Sequence, residues 1–211
     1  MDFTVVYELD VLNILAIFIS CVALYYTYTR SKFAIESLSL NVFISALREL
    51  SSPESRIERR EIFELFDKII SGEKGMMKSD EYIDVDVWLK KGKNSPVNVK
   101  YKIKKLNSED KKRFQEISVK YDRVGFMLFD LNISPVFQKK YLDWMCVSIC
   151  DMWNVLAPYI LLERGDRIKF TPNFEKLAYE AFPYYNLIYQ EKHEKPAKII
   201  VLKPSYHFNL F

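Results

Sequence analysis

The chain predicts a mainly α (α+β) protein: one N-terminal transmembrane helix, then a helical cytosolic bundle with an inserted β-hairpin. Three observations carry this. Val11 to Thr29 runs without a charge, glycine or proline. Apolar residues at helical spacing recur through most of the remaining chain, behind three Ser/Thr-Pro pairs that suit helix starts. Between them "YIDVDVWLKK" and "VNVKYKIKK" alternate with a period of two, the mark of half-buried strands.

The first run holds Val11, Leu12, Ile14, Leu15, Ile17, Phe18, Ile19, Val22 and Leu24. At about 1.5 Å per residue its helix is about 28 Å long, close to the ~30 Å hydrocarbon core. Those nine side chains favour insertion by about 3–5 kcal/mol, at roughly 0.3–0.6 kcal/mol each. Tyr25, Tyr26 and Tyr28 gather at one border, where amphipathic rings settle among headgroups. Asp2, Glu8 and Asp10 precede the run, and Arg30 and Lys32 follow it. The positive-inside rule therefore places the N-terminus outside and the rest in the cytoplasm. A cleaved signal peptide would need a basic start and small residues at a cleavage site, and the run has neither. A soluble core helix, apolar on all sides, is the other reading.

Residues 1–30 thus form a short external segment and a span at 11–29, and 31–50 a juxtamembrane helix. Its stripe of Ile35, Leu38, Val42, Phe43, Ala46, Leu47 and Leu50 continues the span, as one helix or two abutting ones. Residues 51–196 form the cytosolic helical domain. Ser52-Pro53 opens a helix with Ile62, Leu65, Phe66 and Ile69 on one face and Gly72 as its stop. The hairpin occupies 82–104. Opposing Leu89 with Val97, Val87 with Val99 and Val85 with Tyr101 also sets Asp86 against Lys100 and Asp84 against Lys102, so one register satisfies both faces. Ser108 to Leu131 predicts a helix with Phe114, Ile117, Tyr121, Val124 and Leu128 inward.

A second apolar helix follows Ser134-Pro135. It contains Asp151, Asn154 and Pro158, and an Asp at mid-span costs about 2.5–3.5 kcal/mol. Lys140, Asp143, Asp151 and Asn154 form a polar stripe opposite Leu142, Met145, Ile149, Met152, Trp153, Leu156 and Ile160. That pattern belongs to a helix half buried in a soluble domain. Thr171-Pro172 opens the last helix with the threonine hydroxyl as cap, and Pro183 ends or interrupts it. Residues 197–211 are a C-terminal strand, "AKIIVLK", or a tail.

The segments "YDRVGFMLFDLNIS" and "VSICDMWNVLAPYILLER" resemble the C-terminal part of a prokaryotic family of unknown function (DUF family four-seven-six-zero). The matching positions are Tyr121-Asp122, Gly125, Asn132-Ile133-Ser134 and the Trp153 to Pro158 spacing. Asp122 stands where glutamate is usual, Asn132 replaces a turn glycine and Ser134 an aspartate. The resemblance implies one N-terminal span, a juxtamembrane helix and a helical cytosolic domain, with the hairpin as an insertion. It implies no activity.

No Ser-His-Asp set, glycine-rich phosphate loop or metal-ligand spacing can be assembled, so no catalytic residue, cofactor or metal is expected. Asp84 and Asp86 are matched by lysines, and Asp143 and Asp151 lie about 12 Å apart along a helix. They are expected in solvent or facing a partner. The three cysteines, Cys21, Cys146 and Cys150, read as reduced thiols. The net charge of +3 is too small to mark the whole chain as a nucleic-acid binder, but from Trp88 to Arg113 nine lysines and one arginine face only Glu109 and Asp110. Lys90, Lys91, Lys93, Lys100, Lys102, Lys104 and Lys105, with Trp88 and Tyr101, form a candidate surface for anionic partners, lipid before nucleic acid. A solvated hairpin with no partner is the plain alternative. The expected role is a membrane-tethered scaffold or interaction module with a protein partner and possible self-association. A membrane-bound sensor or effector binding nucleic acid or nucleotide through the basic hairpin is second, and an unrecognised hydrolase third.

Overall fold

The computed structural model describes residues 3–70, 82–131, 133–164 and 170–202. The expected helix stop at Gly72, the turn at Asn132 and the chain after Leu202 lie outside them. The protein is mainly helical with a small three-stranded antiparallel sheet. Helix α1 spans Phe3–Ser51 and α2 Pro53–Ile70. Strands β1 (Tyr82–Lys91) and β2 (Val97–Lys104) follow, then α3 (Ser108–Asp130), α4 (Pro135–Arg164), α5 (Pro172–His193) and β3 (Lys198–Val201). The chain divides into two compact units, residues 1–42 and 43–211.

In the first unit α1 is one unbroken helix, as a segment free of glycine and proline permits. Its side chains from Val11 to Leu38, Thr29 excepted, are solvent-exposed around the whole circumference, Phe18 by 66% and Leu24 by 70%. The hydroxyls inside this run bond back to the helix itself: Ser20 to the Ala16 carbonyl, Thr27 to Ala23 and Thr29 to Tyr26, at 2.8–2.9 Å. By length and composition the helix is long and apolar enough to cross a membrane. So is α4, but α4 is mostly buried inside the protein, as its polar stripe foretold.

The second unit is built around α4. Every residue from Val155 to Ile160 is buried, so this stretch of the helix touches protein on all sides. Trp153 lies at the centre, edge-on to Phe174 at 5.1 Å and to Tyr179 at 5.9 Å. Tyr121 stacks on Phe174 at 4.8 Å and shares a hydrogen bond with Ser148. The five predicted inward residues of α3 are all buried. The last turns of α1 join this core through Phe43, Ala46 and Leu50, with Phe43 edge-on to Tyr141 at 5.1 Å.

The hairpin register is the expected one, Asp86 opposite Lys100 and Val87 opposite Val99. Its inner residues Val85, Val87 and Ile103 belong to the common core, so it is not an appendage. The C-terminal segment settles as β3, antiparallel to β1, giving the order β2-β1-β3. Helix α4 seals the outer edge of β3. Trp153 donates its indole N–H to the Ile200 carbonyl at 2.7 Å, and Asn154 bonds both the Lys198 carbonyl and the Ile200 N–H at 2.9 Å. The polar stripe is thus solvated only in part: Lys140 and Asp143 are exposed, whereas Asn154 is a strand partner and Asp151 accepts a hydrogen bond from Tyr185 at 2.7 Å.

Two features of α5 differ from expectation. Pro183 neither ends nor interrupts it; the helix runs on to His193. Proline removes one internal bond, but Pro183 faces solvent while Phe182 and Tyr185 beside it are buried, and that packing holds the helix through it. Thr171 does not cap the helix with its side chain: it sits in the left-handed region at φ 51°, with a buried hydroxyl that has no partner among the described residues. The carboxylate of Asp122 on α3 caps α5 instead, accepting from the Asn173 and Phe174 N–H groups at 2.8 and 3.0 Å. The other two hydroxyl caps form, Ser52 to the Ser55 N–H at 3.1 Å and Ser134 to the Phe137 N–H at 3.4 Å.

Candidate functional site

The lysine-rich surface is the first candidate. Strand alternation and the register put Trp88, Lys90, Lys100, Lys102 and Lys104 on one face of the sheet, together with Asp84 and Asp86. Tyr101, opposite Val85, and Lys91, opposite Lys198, are on the other face. Lys93 sits in the turn and Lys105 beyond β2. The nine residues are thus not one interleaved surface, and the two aromatic rings look to opposite sides. Trp88 and Tyr101 are half-buried and pack against the core. Lys91, Lys93, Lys100, Lys102 and Lys105 are exposed, and burial lowers the pKa of Lys90. Gly92 allows this geometry at the turn: its φ is 54°, and an added Cβ would meet the Pro196 Cβ at 3.0 Å.

The apolar surface of α1 is the second. The nine span residues Val11 to Leu24 are each at least half exposed, and Ile35 and Leu38 beyond them are 55% and 65% exposed. Arg30 lies over the Tyr26 ring at 5.6 Å, so the first basic residue after the run folds back on the tyrosine border.

A third feature was not singled out in the sequence. A cleft of about 280 Å³ opens between the hairpin and the helices. Strands β1 and β2 give it Ile83 and Lys104, and the link to α3 gives Lys105 and Leu106. Helix α3 contributes Lys111, Phe114 and Gln115, and α4 contributes Tyr159, Leu162 and Glu163. Phe170 closes one side, its carbonyl held by the Arg164 guanidinium at 2.8 Å. The floor is apolar: Phe114 packs edge-on against Tyr159 at 4.6 Å. Glu163 is engaged at both oxygens, by Lys111 at 2.7 Å and by Gln115 at 3.2 Å. The Tyr159 hydroxyl is buried and has no hydrogen-bond partner among the described residues, and burial keeps it protonated far above the ordinary tyrosine range. The lining comes from four separate stretches of chain, which is why no local motif announces it.

Other groups offer less chemistry. A depression near Glu49, Lys120 and Arg123 has its charges paired internally, Arg123 with Glu49 at 3.0 Å and Lys120 with Glu58 at 2.6 Å. Cys146 and Cys150 are buried free thiols whose pKa values burial pushes up, so they are poor nucleophiles. Among the described residues no group of three or more His, Cys, Asp or Glu is placed to hold a metal ion. Comparison with family models, with curated proteins and with solved structures found no match to the chain.

Proposed function

We propose that the protein is a single-pass, membrane-tethered interaction module: Val11 to Thr29 crosses the bilayer, and the second unit meets a protein partner in the cytoplasm. One observation carries this reading. Helix α1 exposes apolar side chains on every side, and the hydroxyls within that run satisfy themselves on its own carbonyls. Such a surface costs free energy in water and none in hydrocarbon. A removable leader fits less well, because the same unbroken helix ends in the core at Phe43, Ala46 and Leu50. Arg30 and Lys32, against Glu8 and Asp10, favour an external N-terminus. The exposed row of Ile35, Leu38 and Val42 is suited to self-association beside the membrane. The resemblance to the prokaryotic family of unknown function accords with this architecture and adds no activity.

Nucleic-acid binding through the hairpin has weaker support, since of the two rings only Trp88 shares the lysine face, and it is half-buried against the core rather than free to stack on bases. Lys100→Glu with Lys102→Glu would abolish salt-dependent nucleic-acid retention under that reading and leave partner capture intact under ours.

The test is extraction of the full chain with alkaline carbonate. The wild type is expected in the vesicle pellet. Ile17→Arg, at mid-span, loses insertion free energy of about 3 kcal/mol or more and is expected to leave it. Wild-type protein washing into the supernatant would defeat the tether, and a tag on Met1 reachable only from the cytosol would reverse the orientation.

A further inference from the structure

The geometry points to the cleft between the hairpin, α3 and α4 as a binding site for a small anionic amphiphile: a carboxylate, phosphate or sulfonate head on a compact apolar or aromatic body. The inference concerns the second unit alone and does not rest on the membrane tether. A volume of about 280 Å³ is near the lower end of small-molecule sites, enough for a body of two rings or a short acyl chain. The walls fix what that body must be. Phe114, Tyr159, Leu162 and Phe170 offer rings and methyl groups.

The rim fixes the sign of the head. Among the described residues it carries Lys104, Lys105 and Lys111 against a single carboxylate, Glu163. That carboxylate has one oxygen on Lys111 and the other on Gln115, so it neutralises Lys111 and has little to offer a cationic ligand. Among the described residues no ion pair involves Lys104 or Lys105, and Lys104 is half-buried. An ammonium beside apolar wall attracts an anion more strongly than one in open water, because fewer water dipoles screen it. The second observation is the Tyr159 hydroxyl. Buried hydroxyls in folded proteins nearly always have a partner, and this one has none among the described residues. The oxygen is shut off from solvent, so it donates a hydrogen bond to a polar atom of the ligand only when the Tyr159 ring shifts on binding. The shared chemistry has two sources, a lipid of the anionic leaflet or a soluble aromatic or aliphatic acid.

The experiment uses the full chain in phosphatidylcholine nanodiscs, titrated with 4-biphenylcarboxylate, 4-biphenylmethanol and 4-biphenylmethylamine. Thermal unfolding and saturation-transfer NMR report binding. The carboxylate is expected to bind at least tenfold more tightly than the alcohol, and the amine not at all. Lys104→Glu with Lys105→Glu should weaken the carboxylate at least tenfold, as loss of charge-assisted contacts does. Leu162→Trp fills the cleft from a position already 40% exposed, so folding is spared, and should abolish binding. Tyr159→Phe should weaken binding several-fold while raising the melting temperature of the unliganded protein. Phosphatidylglycerol in the discs that competes with the carboxylate identifies lipid as the source; no competition identifies a soluble acid. Equal binding of carboxylate, alcohol and amine, or undiminished binding to Leu162→Trp, overturns the proposal.

Discussion

Asp122 decides how the last helix begins. The residue before α5 that should cap it, Thr171, has turned into the left-handed region, where its hydroxyl cannot reach the first turn. Two N–H groups there would be left without partners, and the Asp122 carboxylate takes both while also accepting from the Asn173 amide at 3.3 Å. Its negative charge lies at the positive end of the helix dipole, which adds to the bonds. Asp122→Ala is expected to destabilise the protein by about 1–2 kcal/mol, the usual cost of losing a cap. Asp122→Asn keeps an acceptor oxygen in place and should recover most of that loss. Urea unfolding of the full chain in mild detergent separates the two variants. If both lose nothing, the cap contributes nothing.

At the scale of elements, the crossing of α3 and α5 depends on Gly125. A Cβ built there would stand 2.3 Å from the Asn173 carbonyl oxygen, a backbone atom that cannot swing aside. Gly125→Ala must push the start of α5 away and drag it from Asp122. It is expected to cost about 1–3 kcal/mol or more, as overpacking does, despite alanine's better helix propensity. Thermal unfolding checks it; an unchanged or higher melting temperature would deny the close approach. The elements also show where sequence is a good guide. The hairpin register could be read because apolar and charged pairs agreed on both faces at once. Helix α3 could be read because one face alone is buried. The prolonged α5 and the sealed edge of β3 could not, since both depend on partners far along the chain: Asn154 meets Lys198 and Ile200, and Pro183 is tolerated for its neighbours' burial. Of the anticipated site, the α1 surface was legible as a continuous run. The cleft was not, because no single segment carries its pattern.

For the whole molecule, buried tyrosines set the alkaline limit. Tyr121, Tyr141, Tyr159, Tyr179 and Tyr185 all have raised pKa values, with burial the leading cause in each. An unfolded tyrosine releases its proton near pH 10, whereas these five keep theirs in the fold. The folded state therefore binds more protons than the unfolded chain above pH 10, and stability falls as pH rises further. The slope is about 1.4 kcal/mol per pH unit for each tyrosine still protonated. Urea midpoints measured between pH 8 and pH 11.5 should be flat with respect to these groups at first and then drop steeply. A flat profile throughout would mean that the rings are open to water.

The order β2-β1-β3 has one more consequence. With β3 closed off by Trp153 and Asn154, β2 is the strand at the sheet's other margin, and it begins just after Pro96 and carries Lys100, Lys102 and Lys104. A stray strand from another copy would have to lay its own backbone beside three like charges and a proline that offers no N–H. Those lysines can therefore guard against runaway stacking even when nothing is bound to them.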